Sequence, residues 1–406
     1  MLTMEKFLDA REILRPVVNQ TPPIYSSHYS RLTGNRVHFK PENLQVTGAY
    51  KVRGAFVKIA RLDAEQKKCG LITASAGNHA QGVALAAQMQ KLKATVVMPA
   101  TTPLVKVNNT KGYGAKVILY GENYDEAYEQ ACALAERSGL TYIHPFNDLD
   151  IASGQGTIAF EILEDLPDTD VIVLPVGGGG LAAGVATLAK MLKPDIQIIG
   201  VEPCGAACMK LSFEQDEVCS LASVSTIADG VAVSKPGELV FPYIQAHVDR
   251  MLSIEDEELI DAFLNAMEIH KLVVENAGLL SVAALSHLEM TGKNVVSILS
   301  GGNMDVITIA SMVQHGLIYR GRVFTFSVLL PDRPGELEKI SHIVAHLSGN
   351  IIRLEHNQFV SLNRNAAVEL KVTVEAFGHD HKNAILRALS EKGYRAGLIA
   401  PSASID

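Results

Sequence analysis

No framework of cysteines runs through this chain. Its five cysteines are odd in number and irregularly spaced, which excludes a disulfide scaffold. Cys204, Cys208 and Cys219 fall close together, but no nearby histidine or Cys-x-x-Cys pair completes a zinc-type set. They read as free thiols, and no metal site is expected. Basic charge is not in excess either. The 36 Lys and Arg against 44 Asp and Glu leave a net charge of −8, the reverse of a nucleic-acid footprint. A secretory apolar core is missing from the start of the chain. Residues 1–16 alternate charged and apolar side chains at helical spacing, with Leu8, Ile13 and Leu14 against Glu5, Asp9 and Glu12. They read as an amphipathic helix. The uncharged run 171–189 approaches the length of a membrane span, but Pro175 and Gly177 to Gly180 split it into strand, turn and buried helix. With neither signal nor span, no membrane partner is expected and the cytoplasm is the expected location.

What is present is a globular, slightly apolar composition. The 406 residues are 48% hydrophobic and 20% charged, enough for two or three domains and a large core. Strand-like runs at 36–40, 71–74, 94–99, 115–121, 171–176, 196–203 and 294–299 alternate with helical stretches. That spacing predicts α/β architecture with doubly wound parallel sheets. The return after 141–147 predicts a helix opening at Gly154-Gln155-Gly156-Thr157 and running to about residue 163.

Four stretches stand out at the ends of these strands. In Thr47-Gly48-Ala49-Tyr50-Lys51-Val52-Arg53-Gly54-Ala55, one lysine sits between glycines and before a helical run with Phe56, Ile59 and Ala60 on one face. Alone, Lys51 and Arg53 read as solvated charges beside a turn. A lysine placed at a helix entrance between flexible glycines also suits covalent chemistry, since burial lowers its pKa. Ser75-Ala76-Gly77-Asn78-His79 links a strand to an alanine-rich helix, so free backbone N–H groups there suit a carboxylate or phosphate. An ordinary Asn/His helix cap is the plainer reading. Gly177-Gly178-Gly179-Gly180-Leu181 strips Cβ atoms from a strand–helix junction and leaves a nest of N–H groups, a phosphate cradle. It fits neither the P-loop nor the dinucleotide G-x-G-x-x-G pattern. Ser300-Gly301-Gly302-Asn303 ends the last strand, where open α/β sheets hold ligands.

In order and spacing, these four motifs resemble those of the fold-type II pyridoxal-phosphate enzymes, and within them the threonine and serine dehydratase branch, over about residues 5–320. The resemblance implies pyridoxal 5′-phosphate as cofactor. It makes Lys51 the Schiff-base lysine and general base. Gly177, Gly178, Gly179, Gly180 and Leu181 would hold the phosphate, Asn78 the ring hydroxyl and Ser300 the pyridine nitrogen. Ser75, Gly77, Asn78 and His79 would cradle the carboxylate of an amino-acid substrate. The implied reaction converts L-threonine to 2-oxobutanoate and ammonia, with L-serine to pyruvate beside it. Two departures matter. Tyr50 stands where the family usually has Phe, which preserves an aromatic. Ala76 stands where serine racemases, which are similar, carry a proton-moving serine, so racemisation is disfavoured. The metal site of those racemases also looks incomplete, with Glu202 present but Cys208 in place of a carboxylate.

After Arg320 the pattern changes to βαββαβ, the ferredoxin-like split unit. With Pro331-Asp332-Arg333-Pro334-Gly335-Glu336-Leu337, residues 323–406 resemble an ACT domain, a small amino-acid-sensing module. Such modules imply a homo-oligomer, tetramer or dimer, and an effector near the turn after the first strand. Asp332, Gly335, Glu336 and Asn350 are the residues expected near it, and a branched-chain amino acid is the expected effector. A purely oligomerising module is the plainer reading. The expected organisation is therefore a catalytic domain over 1–320, with a smaller subdomain inserted at about 50–150, and a regulatory domain over 323–406. A serine-preferring dehydratase stays open, since one methyl is worth only about 1–3 kcal/mol in a pocket. A silent amino-acid-binding regulator is the alternative outside enzymes, disfavoured by the intact Lys51, Asn78, glycine turn and Ser300.

Overall fold

The computed structural model describes residues 1–357 and 368–399. The chain divides after Val306 into two units. The first opens with the helix Met4–Leu14, whose buried stripe is Phe7, Ala10 and Leu14. Leu8, expected on that stripe, is exposed; a rotation of one residue, about 100°, puts Phe7 inward instead. Strands β1 (Ile24–Tyr25) and β2 (Arg36–Lys40) follow. The chain then leaves to build β3 (Leu71–Ala74), β4 (Ala94–Met98), β5 (Lys116–Leu119) and β6 (Thr141–Tyr142). It returns for β7 (Val171–Pro175), β8 (Gln197–Pro203), β9 (Arg250–Ile254) and β10 (Asn294–Ile298). The resulting sheets are β1-β2-β10-β7-β8-β9 and β5-β4-β3-β6, parallel throughout except for the β1–β2 pair. All five residues of β7 are buried, as a parallel strand covered on both faces requires.

Helix packing between the sheets brings the functional turns together. The helices Lys51–Arg61, Leu149–Gly156 and Gly180–Leu192 stack through glycines. A Cβ on Gly154 would lie 2.6 Å from the carbonyl oxygen of Arg53, and one on Gly156 would lie 2.7 Å from that of Gly184. Backbones this close accept no side chain. The helix expected to open at Gly154 instead begins at Leu149 and breaks at Thr157, before a second helix Ile158–Asp165. Asp148 caps it by accepting from the N–H groups of Asp150 and Ile151. Glycines are poor in helix interiors, so local preference hid a segment that close packing demands. Leu188 and Val185 are fully buried in the same stack, each contributing roughly 1.5–3 kcal/mol of burial.

The second unit begins at Ile307, one residue into the helix Val306–Tyr319, about one helix before the boundary expected near residue 320. The ring of His379 approaches the Tyr319 carbonyl at 2.9 Å, which ties that helix to its own unit. Strands β11 (Val323–Leu330), β12 (Asn350–Asn357), β13 (Val368–Glu375) and β14 (Gly397–Ile399) form an antiparallel sheet in the order β12-β13-β11-β14. The helices Glu336–His346 and Gly378-capped His379–Glu391 complete βαββαβ. Phe324, Phe326, Val328 and Leu330 alternate inward along β11 to form its core.

Candidate active site

Lys51 is the first residue of its helix. The turn before it is fastened to the turn after β10. Tyr50 N–H donates to the Ser300 carbonyl at 3.1 Å, Gly302 N–H donates to the Gly48 carbonyl at 2.9 Å, and Ala49 bridges Gly301. Gly48 sits at φ +71°, where its missing Cβ would fall 2.5 Å from Asn303 Oδ1. From the other side comes the helix Asn78–Met89. A Cβ on Gly82 would lie 3.2 Å from the Lys51 carbonyl oxygen. Enclosure by protein pulls the Lys51 amine down to about 8, against an opposing pull from the charge of Glu275. Its Nζ lies 5.8 Å over the Tyr50 ring and 3.5 Å from the Pro145 carbonyl oxygen.

Ser75, Gly77 and Asn78 are half-buried at the start of the second helix, and no side chain caps it. The orphan N–H groups of that first turn therefore remain for an anion. His79 departs from expectation. Its ring is buried against the Ile143 carbonyl at 3.1 Å, and burial pulls it down to about 3. The ring is neutral and turned away, so only the backbone N–H of His79 is left for a carboxylate.

Gly177, Gly178, Gly179 and Gly180 share one cavity with Lys51, Tyr50, Phe146, Leu181 and Val231. A Cβ on Gly178 would come within 2.3 Å of the Phe146 ring, and one on Gly177 within 3.0 Å of Val231 Cα. Gly179 caps the next helix at φ +101° with no side-chain bond. The turn is thus bare backbone, a cradle of N–H groups at a helix N-terminus. A phosphate on that cradle and a carbonyl carbon reactive toward the Lys51 amine are what this donor set accepts, and pyridoxal 5′-phosphate carries both. Ser300, 2% exposed, abuts Tyr50 at the same place. Two of the four sequence motifs thus line one cavity, and the other two adjoin the Lys51 turn, Ser300 through Tyr50 N–H and Asn78 through Asn303, which also holds the Thr47 carbonyl. A roomier cavity of about 300 Å³ lies elsewhere, beside Arg11, Lys40, Arg53 and Glu161. Its buried charges pair with one another, so it makes no demand for a ligand.

Three features escaped the sequence reading. Glu275 is buried and its Oε1 accepts from Asn78 Nδ2 at 2.6 Å. Burial raises it to about 7, helped by Asp229 and opposed by Lys106 and Lys51. Arg53, expected on the surface, is wholly buried. It donates to both oxygens of Glu42 at 2.8 Å and both of Glu161 at 2.5 and 3.0 Å. Lys106 on the smaller sheet's side reaches Asp229 on the larger at 2.6 Å.

Among the described residues no cluster of three or more His, Cys, Asp and Glu is placed to hold a metal. Glu202 spends its oxygens on the N–H groups of Met209 at 3.0 Å and Lys210 at 2.7 Å, and Cys208 Sγ lies 3.9 Å away. Cys204, Cys208 and Cys219 are free thiols. No helix among the described residues is long and apolar enough to cross a membrane.

In the second unit, Asp332, Gly335 and Glu336 gather at the turn after β11. Glu336 accepts from the Tyr394 hydroxyl at 3.4 Å and pairs with Lys339. Asn350 does not join them. It pairs with Glu375 opposite Val323, at the far end of the sheet. Seven steps along β11 place it roughly 25 Å away. A strand that follows a crossover helix starts where the first strand started, which sequence proximity disguised.

Residues 14–301 match the family described as pyridoxal-phosphate dependent enzyme. An L-threonine ammonia-lyase of Thermotoga maritima is 42% identical over 400 residues, 98% of this chain and all of that one. Among solved structures, the processed form of threonine deaminase isoform 2 from Solanum lycopersicum is 37% identical with a TM-score of 0.73, covering 77% of this chain and 89% of that chain. Maize serine racemase is 34% identical with a TM-score of 0.73, covering 78% of this chain and 98% of that chain.

Proposed function

This chain belongs to the pyridoxal-phosphate dependent enzyme family, and from that premise we propose that it acts as an L-threonine ammonia-lyase, releasing 2-oxobutanoate and ammonia. The observation that carries the reading is Lys51, with its lowered amine, in one cavity with the four-glycine turn. Gly177 to Leu181 would hold the cofactor phosphate on backbone N–H groups, Asn78 the ring hydroxyl and Ser300 the ring nitrogen. When bound, pyridoxal phosphate supplies an electron sink that acidifies the α-hydrogen of the amino acid joined to it. Ser75, Gly77, Asn78 and His79 would cradle the substrate carboxylate, with the N–H groups of Asn78 and His79 as donors, since the N–H of Ser75 goes to the Val97 carbonyl and that of Gly77 to Ser75 Oγ, and so fix Cα over Lys51. The neutral Lys51 amine takes the α-proton. The β-hydroxyl leaves as water, and hydrolysis of the freed enamine returns that water and releases ammonia. Ala76, half-exposed beside Gly77, has no proton to deliver to Cα, which favours elimination over racemisation. L-Serine undergoes the same steps to pyruvate.

The second unit serves as an ACT-like regulatory domain. A branched-chain amino acid acts at Asp332, Gly335 and Glu336, in a homo-oligomer, tetramer or dimer. The enzyme is placed in the cytoplasm, at the head of isoleucine synthesis. The test is 2-oxo acid release from L-threonine and L-serine, with and without isoleucine. Threonine turnover ahead of serine and suppressed by isoleucine is expected. Serine far ahead overturns the substrate, and indifference to isoleucine overturns the pathway. The purified chain should be yellow and bleach with borohydride, and Lys51→Ala should abolish both. Retention of a borohydride-sensitive colour in that variant removes Lys51 from its role.

A further inference from the structure

Several histidine rings of this chain are spent on backbone groups. His79, His379 and His381 reach the carbonyls of Ile143, Tyr319 and Leu347, and His144 Nδ1 accepts from the N–H groups of Phe146 and Asn147. His342 and His346 differ. Both lie on the helix Glu336–His346, four residues apart, and both are exposed. Their rings stack, 6.1 Å between centres and 12° between planes. Neither ring takes a hydrogen bond or an ion pair among the described residues.

The helix sets them side by side. Residues four apart share a face, with Cβ atoms about 5–6 Å from one another. Ile340 and Val344 fasten the helix to its sheet. Each histidine stands two residues further on, about 200° round the axis, and so faces away from that sheet. His-Glu-x-x-His zinc enzymes use the same spacing to bring two imidazoles onto one ion. Tetrahedral zinc, with bonds of about 2.0–2.1 Å, sets two ring centres roughly 5 Å apart. The pair must therefore close by about 1 Å, which exposed rings do by turning about χ1 and χ2. The surrounding charge suits a cation. His346 ends the helix, where the backbone dipole is negative. Glu338 is exposed one turn before His342, and the nearby ammonium of Lys339 is held by Glu336 at 2.7 Å.

We propose that His342 and His346 form a chelating site for a divalent transition-metal ion of the class imidazole prefers, with zinc as the representative. The ion ties the last turn of the helix to the turn before it. No third acidic, histidine or cysteine side chain among the described residues joins the pair, so water completes the coordination. The site is separate from the turn assigned to the effector. His346 is ten residues beyond Glu336, about 15 Å along the helix. It also belongs to the second unit, whereas Lys51 and its cavity belong to the first. The metal site therefore stands or falls independently of the proposed lyase activity.

The experiment is calorimetric titration of the full-length, cofactor-loaded chain with Zn²⁺, repeated with Mg²⁺. Zn²⁺ has other places to bind on a protein, so the readout is the difference between parent and variants. His342→Ala and His346→Ala should each weaken one Zn²⁺ site by at least about tenfold, because the second nitrogen of a chelate binds at high effective concentration. Both positions are exposed and alanine favours a helix, so the variants should fold. The double variant should lose the same single ion as either alone. Mg²⁺ prefers oxygen ligands and should not distinguish the variants from the parent. A Zn²⁺ titration unchanged in either single variant overturns the proposal. A double variant that loses twice as many ions as each single also overturns it, since that marks two independent histidines. Mg²⁺ binding that vanishes with the histidines overturns the assigned class of ion.

Discussion

Removing Arg53 should damage this enzyme more than removing Arg53 and Glu42 together. Arg53 is 0% exposed, and Glu42 is 0% exposed beside it. All five guanidinium N–H groups are engaged: two on the oxygens of Glu42, two on those of Glu161, and one on Thr157 Oγ1 at 3.2 Å. Lys40, also buried, gives its amine to Glu161 at 2.5 Å and to the Thr21 carbonyl at 2.7 Å. Two cations and two carboxylates make a neutral set. Arg53→Met leaves Glu42 buried with its charge unmatched, a loss of about 3–5 kcal/mol. For a unit of 306 residues, an unfolding entropy of about 2.1 cal/mol/K per residue gives about 0.6 kcal/mol/K, so a loss of 4 kcal/mol lowers Tm by about 6 °C. Arg53→Met with Glu42→Leu leaves the neutral Lys40–Glu161 pair and should recover most of that fall. Calorimetry on the full-length chain measures both. A single variant within about 1 °C of the parent, or a double variant worse than the single, refutes the reasoning.

The same network fixes an acid response. Burial alone would raise Glu42, and the charge and hydrogen bonds of Arg53 overcome it, so the net shift is downward. A carboxyl lower in the folded than in the unfolded chain stabilises fully above its unfolded value, near 4.5. That stabilisation is lost as pH falls through the folded value. The double variant lacks Glu42, so its Tm should fall less steeply than the parent's below about pH 4.5. Equal slopes would assign acid sensitivity to other carboxylates.

Gly178→Ala puts a Cβ within 2.3 Å of the Phe146 ring, so the cradle must shift; fluorescence titration should show pyridoxal phosphate bound at least about tenfold more weakly, and unchanged affinity would show that the turn does not hold the phosphate. Deleting residues 323–406 should keep threonine turnover and remove any response to branched-chain amino acids, and loss of turnover in a folded, cofactor-loaded truncation would refute that division of labour.

The legible parts of this molecule are those whose causes are local. Residues Val171 to Pro175 announce a strand covered on both faces, because every position is apolar. The glycines after them announce a turn that needs bare backbone. Lys51, Asn78 and Ser300 drew attention because each stands at a strand or helix end, and the roles proposed for them come from the family resemblance. The edge strand β9 went unread because three of its five positions are only partly buried, which blurs the alternation. The helix Leu149–Gly156 was misplaced because its glycines answer a neighbouring backbone, not their own helix. Arg53 left a signal that was available: it lies four residues before the fully buried Val57 on one helix face. A charge on a buried face must have partners, so the position asks for carboxylates even before their identity is known. Glu275 left no such signal. Its partner Asn78 is 197 residues away in sequence, and a lone acid ahead of Asn-Ala-Gly looks like any helix start. Its meaning comes from what lies opposite: a lysine whose amine is drawn down by the same enclosure that draws the carboxylate up. The second group can be recognised only after the fold has set it across from the first.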